Sequence, residues 1–216
     1  MNFKNLFFIS AMLILMVACG PTTKVTGSWT RLDHEPEQFK KIVILGIAQD
    51  SRNRRVFEDQ VETRLQEKGY PVIAALDLLP PSAAIGTITK EIVMDIFAAA
   101  KVDAVFSMSM RHKEDTRRYV SGSSYYMPYY YNVPFYDYYG GFNSYYYSPG
   151  YYTGSVQVFL EANFFDLESG ELLWSAQTKT TDLTNIDKMA IEFADVIVED
   201  FIRQNVVPAP EVSKKK

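Results

Sequence analysis

The chain contains 216 residues, of which 22 are basic and 26 are acidic, so its formal net charge at pH 7 is −4. This length suits one domain with a full hydrophobic core. The acidic balance argues against nucleic acid as a partner, because nucleic-acid-binding proteins depend on basic patches. The single cysteine has no second cysteine in the chain with which to form a disulfide.

The first 18 residues have the pattern of an export signal. Lys4 precedes an apolar run from Leu6 to Val17, and small residues follow that run. The run is too short for a transmembrane helix, which needs about 20 apolar residues. We therefore predict that residues 1–18 are a signal peptide.

The end of this segment resembles the lipobox of bacterial lipoproteins. The matching residues are Met16, Val17, Ala18 and Cys19, with Met16 where that family usually has leucine. The resemblance implies cleavage before Cys19, acylation of Cys19 and attachment to a membrane through the lipidated N-terminus. Gly20 follows in place of an acidic residue, which in that family implies the outer membrane, facing the periplasm. An ordinary secretory signal and an uncleaved anchor are the alternatives.

Residues 19–38 are predicted to be the lipidated cysteine and a tether. They contain proline, glycine, threonine and charged residues with little periodicity. A short extended piece is expected around Val25–Trp29.

The first half of the predicted domain alternates strands and helices. Lys41–Ile47 is a continuous apolar run, typical of a strand covered on both faces. The next element is a helix over Arg54–Lys68, on which Phe57, Val61 and Leu65 share a face. Tyr70–Ala74 predicts a short strand that starts at a proline or lies at a sheet edge. A second helix follows, whose apolar face is expected to be formed by isoleucines at positions 88, 92 and 96.

The second half predicts a strand, a long insert, a hairpin and a final helix. Ala104–Arg111 alternates apolar and polar residues, which is typical of a strand with one buried face. Ser155–Asp166 is the next strand, and a turn over Asp166–Gly170 leads into the following strand. The last helix carries an apolar stripe from Ile186 to Phe201, including Phe193 and Ile197, with Thr184 and Asp187 as a capping box.

The predicted fold class is therefore α/β. The order β-α-β-α-β, insert, β-β-α predicts a mixed sheet in a single domain of two or three layers. We place this domain at residues 39–207, followed by a disordered tail over 208–216.

Several segments resemble one group of bacterial envelope lipoproteins, related to the TolB amino-terminal domain and to the curli-secretion lipoproteins. These segments are Lys41–Ile47, Glu67–Tyr70, Ala100–Val105, Phe165–Trp174 and the final helix. The resemblance implies a small α/β domain that acts as a non-enzymatic part of an envelope assembly. It carries over no functional residue other than Cys19.

Residues 119–152 form an insert that holds 14 of the 15 tyrosines. Tyrosine has an apolar ring and a polar tip, which suits contacts with proteins, glycans or membrane interfaces. The alternative is a compositionally biased loop with no dedicated ligand. We expect the insert to be dispensable for folding. The candidate contact residues are Tyr125, Tyr126, Tyr129, Tyr130, Tyr131, Tyr136, Tyr138, Tyr139, Tyr145, Tyr146 and Tyr147.

Chemical motifs give little support for catalysis. His34 lies beside Glu35 and Glu37 in the predicted tether, and His112 lies beside Glu114 and Asp115 at a strand end. Each is interpreted as a surface or strand-end histidine, and no spaced Cys/His set occurs, so no metal site is predicted. Gly-rich phosphate loops and nucleophile elbows are absent from the sequence. The basic cluster of Arg52, Arg54 and Arg55 is interpreted as a solvated helix start.

These observations favour a membrane-anchored, non-enzymatic envelope lipoprotein that acts as an interaction or assembly subunit, without a cofactor. Its contact surface would be the tyrosine-rich insert, and its partner an envelope protein or glycan. A glycan-binding module is the main alternative. A hydrolase with a site assembled from distant loops is a third hypothesis.

Overall fold

The computed structural model describes residues 22–48, 50–79, 88–115, 133–137, 156–181 and 185–208. Within these ranges, the strands form one sheet of six. Their bounds are Thr23–Thr30 (β1), Ile42–Ile47 (β2), Val72–Ala74 (β3), Ala104–Asp115 (β4), Val156–Asp166 (β5) and Leu172–Thr181 (β6). The described α-helices are Ser51–Glu67 (α1), Lys90–Ala99 (α2) and Ile186–Arg203 (α3).

The sheet is mixed, with the order β1-β6-β5-β4-β2-β3. Strand β2 runs parallel to both β3 and β4. The other neighbouring pairs are antiparallel. Helices α1 and α3 cover one face and α2 covers the other, so the domain has three layers. The predicted α/β class and the mixed sheet are confirmed.

The larger core lies between the sheet and the pair α1 and α3. At its centre the Phe201 ring packs against Phe106, Phe164 and Trp174, with ring centroids 5.0–5.4 Å apart. Edge-to-face contacts at these distances add to the free energy of burial. The stripe predicted for α3 is confirmed, because Phe193, Ile197 and Phe201 are fully buried. The cap of α3 differs from the prediction: Asn185 accepts from the amides of Asp187 and Lys188, and Thr184 lies outside the described residues.

The smaller core lies between the sheet and α2, and one described piece of the insert belongs to it. Phe135 is fully buried, with its ring 5.3 Å from Phe165 and 6.4 Å from Phe97. The Phe135 amide also donates to the carbonyl of Gly170 in the β5–β6 turn. This segment of the insert is therefore part of the core, which counts against the expectation that the insert is dispensable for folding.

Part of the segment that was predicted to be a tether forms strand β1. Residues Thr23–Thr30 pair antiparallel with β6, with a bulge between Val25 and Gly27. The bulge twists an edge strand that would otherwise offer a long row of unpaired backbone groups. The domain therefore begins near Thr23 and not at residue 39. The expectation of an extended piece around Val25–Trp29 is confirmed.

Two other predicted faces were wrong in part. On α2, Val93 and Phe97 are buried whereas Ile92 is 47% exposed. The isoleucine repeat is therefore wrong at Ile92 only, because Ile88 and Ile96 are partly buried against the smaller core beside Val93 and Phe97. On β4, Ser107 and Ser109 are buried as well as Met108 between them, so both faces of the strand are covered and not one. Parallel pairing with β2 places β4 at the centre of the sheet.

Candidate functional site

An apolar pocket opens at one end of the sheet, between α1, α3 and strands β2, β4 and β5. Its volume is about 230 Å³. This volume is small for a ligand site, so the pocket suits part of a ligand better than a whole drug-sized molecule. The lining includes Phe57, Met108, Met110, Leu160, Met189 and Phe193.

The strand ends define this side of the domain, which we call the pocket end. It contains the last residues of β2, β4 and β6 and the first residues of β1 and β5. Helices α1 and α3 also begin there, because residues of their first turns line the pocket. The carboxyl ends of parallel strands are a common place for ligand sites in α/β sheets.

A buried ion pair lies beside the pocket, and its arginine, Arg54, belongs to the pocket lining. The Arg54 guanidinium donates through Nε to Glu58 Oε1 at 2.7 Å, and the two side chains are 3% and 0% exposed. Glu58 also accepts from the amides of Gly46, at 2.9 Å, and Leu76, at 2.9 Å. It thus joins β2, α1 and the turn after β3. The interpretation of Arg54 as part of a solvated helix start is wrong, although Arg52 remains exposed.

Burial raises the pKa of the Glu58 carboxyl, while Arg54 and the two amides oppose that rise without overcoming it. Gly46 is the residue that permits the arrangement. A Cβ at this position would lie 3.0 Å from Arg54 Cγ and 3.4 Å from Glu58 Oε1. The packing of the pair therefore depends on the absence of a side chain at Gly46.

A second acidic side chain holds the start of the described chain at the pocket end. Glu192 Oε2, on α3, accepts from the Thr22 amide at 2.9 Å and from the Thr22 hydroxyl at 2.6 Å. Burial would raise the pKa of Glu192, but hydrogen bonds from Thr22 and Thr23 outweigh it and lower the pKa. Farther along β1, Ser28 donates to the buried carboxylate of Asp200 on the same helix, at 2.5 Å. Helix α3 therefore fixes both halves of β1.

A buried polar cluster lies on the opposite face of the sheet. Glu161 is buried and accepts from Asn163 Nδ2 at 3.0 Å, and Arg111 Nε lies 3.5 Å from its other oxygen. Glu161 and Asn163 alternate along β5 with the apolar residues that face the larger core, and their own face of the sheet is covered as well.

The predicted site residues are only partly within the described chain. Cys19 and the candidate tyrosines other than Tyr136 lie outside it. Tyr136 is half-buried, with its ring 5.1 Å from that of Phe135, and burial raises the pKa of its phenol. This tyrosine is therefore partly a packing residue and not a fully exposed contact.

The histidines give no metal site in the described residues, where no cluster of three or more suitable ligands occurs. His34 Nε2 lies 3.0 Å from the carbonyl oxygen of Val206, which ties the segment after β1 to the end of the domain. The side chain of His112 is outside the described set. Within the same ranges, no helix has the length and apolar character needed to cross a bilayer.

The pocket was missed from the sequence because five elements contribute its lining. The sequence offered one indication of the pocket, its methionines. Three of them, Met108, Met110 and Met189, line the pocket. Methionine is adaptable and is common at binding surfaces, but it fills ordinary cores as well.

Comparison with known proteins gives only distant likenesses. No protein-family model and no curated protein matches the chain. PelC from Paraburkholderia phytofirmans, solved as a dodecamer, is 13% identical with a TM-score of 0.45, covering 87% of this chain and 98% of that one. Lipoprotein GNA1162 from Neisseria meningitidis is 15% identical with a TM-score of 0.37, covering 76% and 98%.

A PDZ domain protein from Parabacteroides distasonis is 15% identical with a TM-score of 0.45, covering 88% of this chain and 38% of that one. These scores are too low to carry an argument about function. The resemblance to the TolB and curli-secretion group remains a prediction.

Proposed function

We propose that this chain is a lipid-anchored, non-enzymatic subunit of the bacterial cell envelope, attached through Cys19 and acting by contact with another envelope component. The observation that carries the proposal is the position of β1. Its first residue, Thr23, is only four positions after Cys19, and Glu192 fixes the preceding Thr22 against α3.

The short connection limits how far the domain can move from the membrane. Four residues span at most about 14 Å when fully extended. The domain is therefore held close to the bilayer with its pocket end toward the lipid. The proposed location is the outer membrane, facing the periplasm. The tyrosines of residues 119–152 are proposed as the contact surface, since the insert leaves β4 and returns to β5 at the same end of the sheet.

Metabolic labelling with an alkyne fatty acid tests the anchor. The wild-type chain should incorporate the label and fractionate with membranes. Cys19→Ala should lose the label and accumulate with its signal peptide uncut. Incorporation into Cys19→Ala at the wild-type level would contradict the proposed attachment.

Photo-crosslinking in intact cells tests the contact surface. A photoreactive amino acid at Tyr130 should give discrete crosslinked products of high mass. The same amino acid at Lys68, an exposed residue at the far end of α1, is the control and should give few or none. Equal patterns from the two positions would contradict the assignment of the insert as the contact surface.

A further inference from the structure

We infer that the pocket takes an acyl chain from a phospholipid of the bilayer to which the domain is attached. The inference rests on the proposed attachment through Cys19. The occupant is a bilayer phospholipid, with its hydrocarbon in the pocket and its phosphate at the rim.

The first argument is position. Glu192 faces the chain that leads to Cys19, while Met189 and Phe193, its neighbours on α3, line the pocket. Thr22, the first described residue, and the pocket thus lie on either side of one helix, which is about 10–12 Å wide. Across the sheet, three strand spacings separate β1 from β4, or about 14 Å. A bilayer within reach of Cys19 is therefore also within reach of the pocket mouth.

The second argument is the chemistry of the lining. Most of the wall consists of three methionines, two phenylalanines and aliphatic side chains, and the polar lining residues are Asn53, Arg54, Ser109 and Lys113. The pocket volume is about 230 Å³. A slender, unbranched hydrocarbon segment matches this volume, and methionine thioethers adapt to such a chain. Met110 is 40% exposed at the mouth, so the apolar lining continues out to the surface.

The third argument is the charge at the rim. Lys113 lines the pocket and is exposed. A lysine can lay its aliphatic stem along an apolar wall and keep its ammonium group at the level of the head groups. This placement complements a phosphate, which every phospholipid carries.

The test uses the full-length, processed protein reconstituted into phosphatidylcholine and phosphatidylglycerol vesicles. The vesicles contain a phospholipid with a diazirine in its acyl chain. After illumination, flotation measures membrane attachment and mass spectrometry maps the labelled peptides. Label should appear on residues 108–113, 158–160 and 186–193. A parallel sample receives a free diazirine fatty acid in place of the phospholipid.

Matched variants separate the pocket from general membrane contact. Met110→Trp narrows the mouth and should lower the pocket label at least five-fold. Met94→Trp is its control, because Met94 has the same 40% exposure but lies on α2, on the other face of the sheet. Lys113→Glu should lower the label several-fold, whereas Lys68→Glu should not change it. Circular dichroism confirms that each variant is folded.

Each outcome decides a different point. Flotation with label in the pocket, sensitive to Met110→Trp, supports the inference. Flotation without pocket label, or pocket label from the free fatty acid alone, overturns the inference and leaves the anchor intact. Failure to float overturns the proposed anchor and, with it, the phospholipid inference.

Discussion

The Glu192 carboxylate on α3 binds both the amide and the hydroxyl of Thr22, at 2.9 Å and 2.6 Å. One acidic side chain thus fixes the last described residue before the chain leads back toward Cys19. Bonds to a charged acceptor are roughly twice as strong as neutral ones. The contact therefore connects the proposed membrane anchor to the helix that lines the apolar pocket.

Glu192→Gln should loosen the start of β1. The substitution removes the charge but keeps an acceptor oxygen, so we expect a loss of about 1 kcal/mol in the free energy of unfolding. Hydrogen exchange at the first amides of β1 should accelerate. Glu199→Gln, at an exposed position of the same helix, is the control and should leave exchange unchanged. Equal exchange in the two variants would show that Thr22 is held by other contacts.

Glu192 should also make the stability of the folded domain depend on pH, in the direction set by its pKa shift. The pKa of Glu192 is lowered from its ordinary value of 4.5. A carboxyl with a lowered pKa stabilises the folded state above 4.5, and this contribution is lost as the pH falls through the folded-state pKa. The stability advantage of the wild type over Glu192→Gln should therefore be full at pH 7 and decline below pH 4.5. Urea denaturation from neutral to acidic pH measures it, and an advantage that grows in acid would contradict the assignment.

Glu58→Ala should destabilise the domain by about 3–5 kcal/mol, the range for breaking a buried ion pair. The substitution deprives Gly46, Leu76 and Arg54 of a shared acceptor. Glu62→Ala, one turn later on α1 and only partly buried, is the control and should cost much less. Thermal unfolding of both variants provides the comparison. Similar melting temperatures would mean that Glu58 is not the residue that joins β2 to α1.

Phe135→Ala tests whether the insert contributes to the core. The ring is fully buried against Phe97 and Phe165, so its removal should cost about 3–5 kcal/mol. Asp137→Ala, two residues later and exposed, should change stability little. Chemical denaturation gives both values. If Phe135→Ala is as stable as the wild type, this ring does not contribute to the stability of the core.

The parts of the fold that were predicted correctly are those with strong local patterns. Strand β2 is an unbroken apolar run, and α3 repeats large apolar residues at helical spacing, so each shows its buried surface within a few residues of sequence. Strand β1 has no such pattern. It is a strand because it pairs with β6, some 150 residues later in the chain, and local propensity carries no record of that pairing.

The candidate site depends even more than β1 does on contacts between residues that are far apart in the sequence. The pocket combines side chains from α1, α3 and three strands, and no single segment marks it. The Arg54–Glu58 pair has the four-residue spacing of an ordinary surface pair on a helix. The pair differs from a surface pair because Gly46 of β2 packs directly against it. That contact cannot be read from the spacing of the two residues.

The orientation of the domain at the membrane is the central claim, and spin labels on reconstituted protein test it directly. If Cys19 is acylated, an introduced cysteine is the only free thiol in the chain. Asp187→Cys places a label at the start of α3, and Lys68→Cys places one at the far end of α1, about 25 Å along that helix. With nickel-chelating lipids in the vesicles, the account predicts strong relaxation enhancement at position 187 and weak enhancement at position 68. Equal enhancement, or the reverse order, would contradict it.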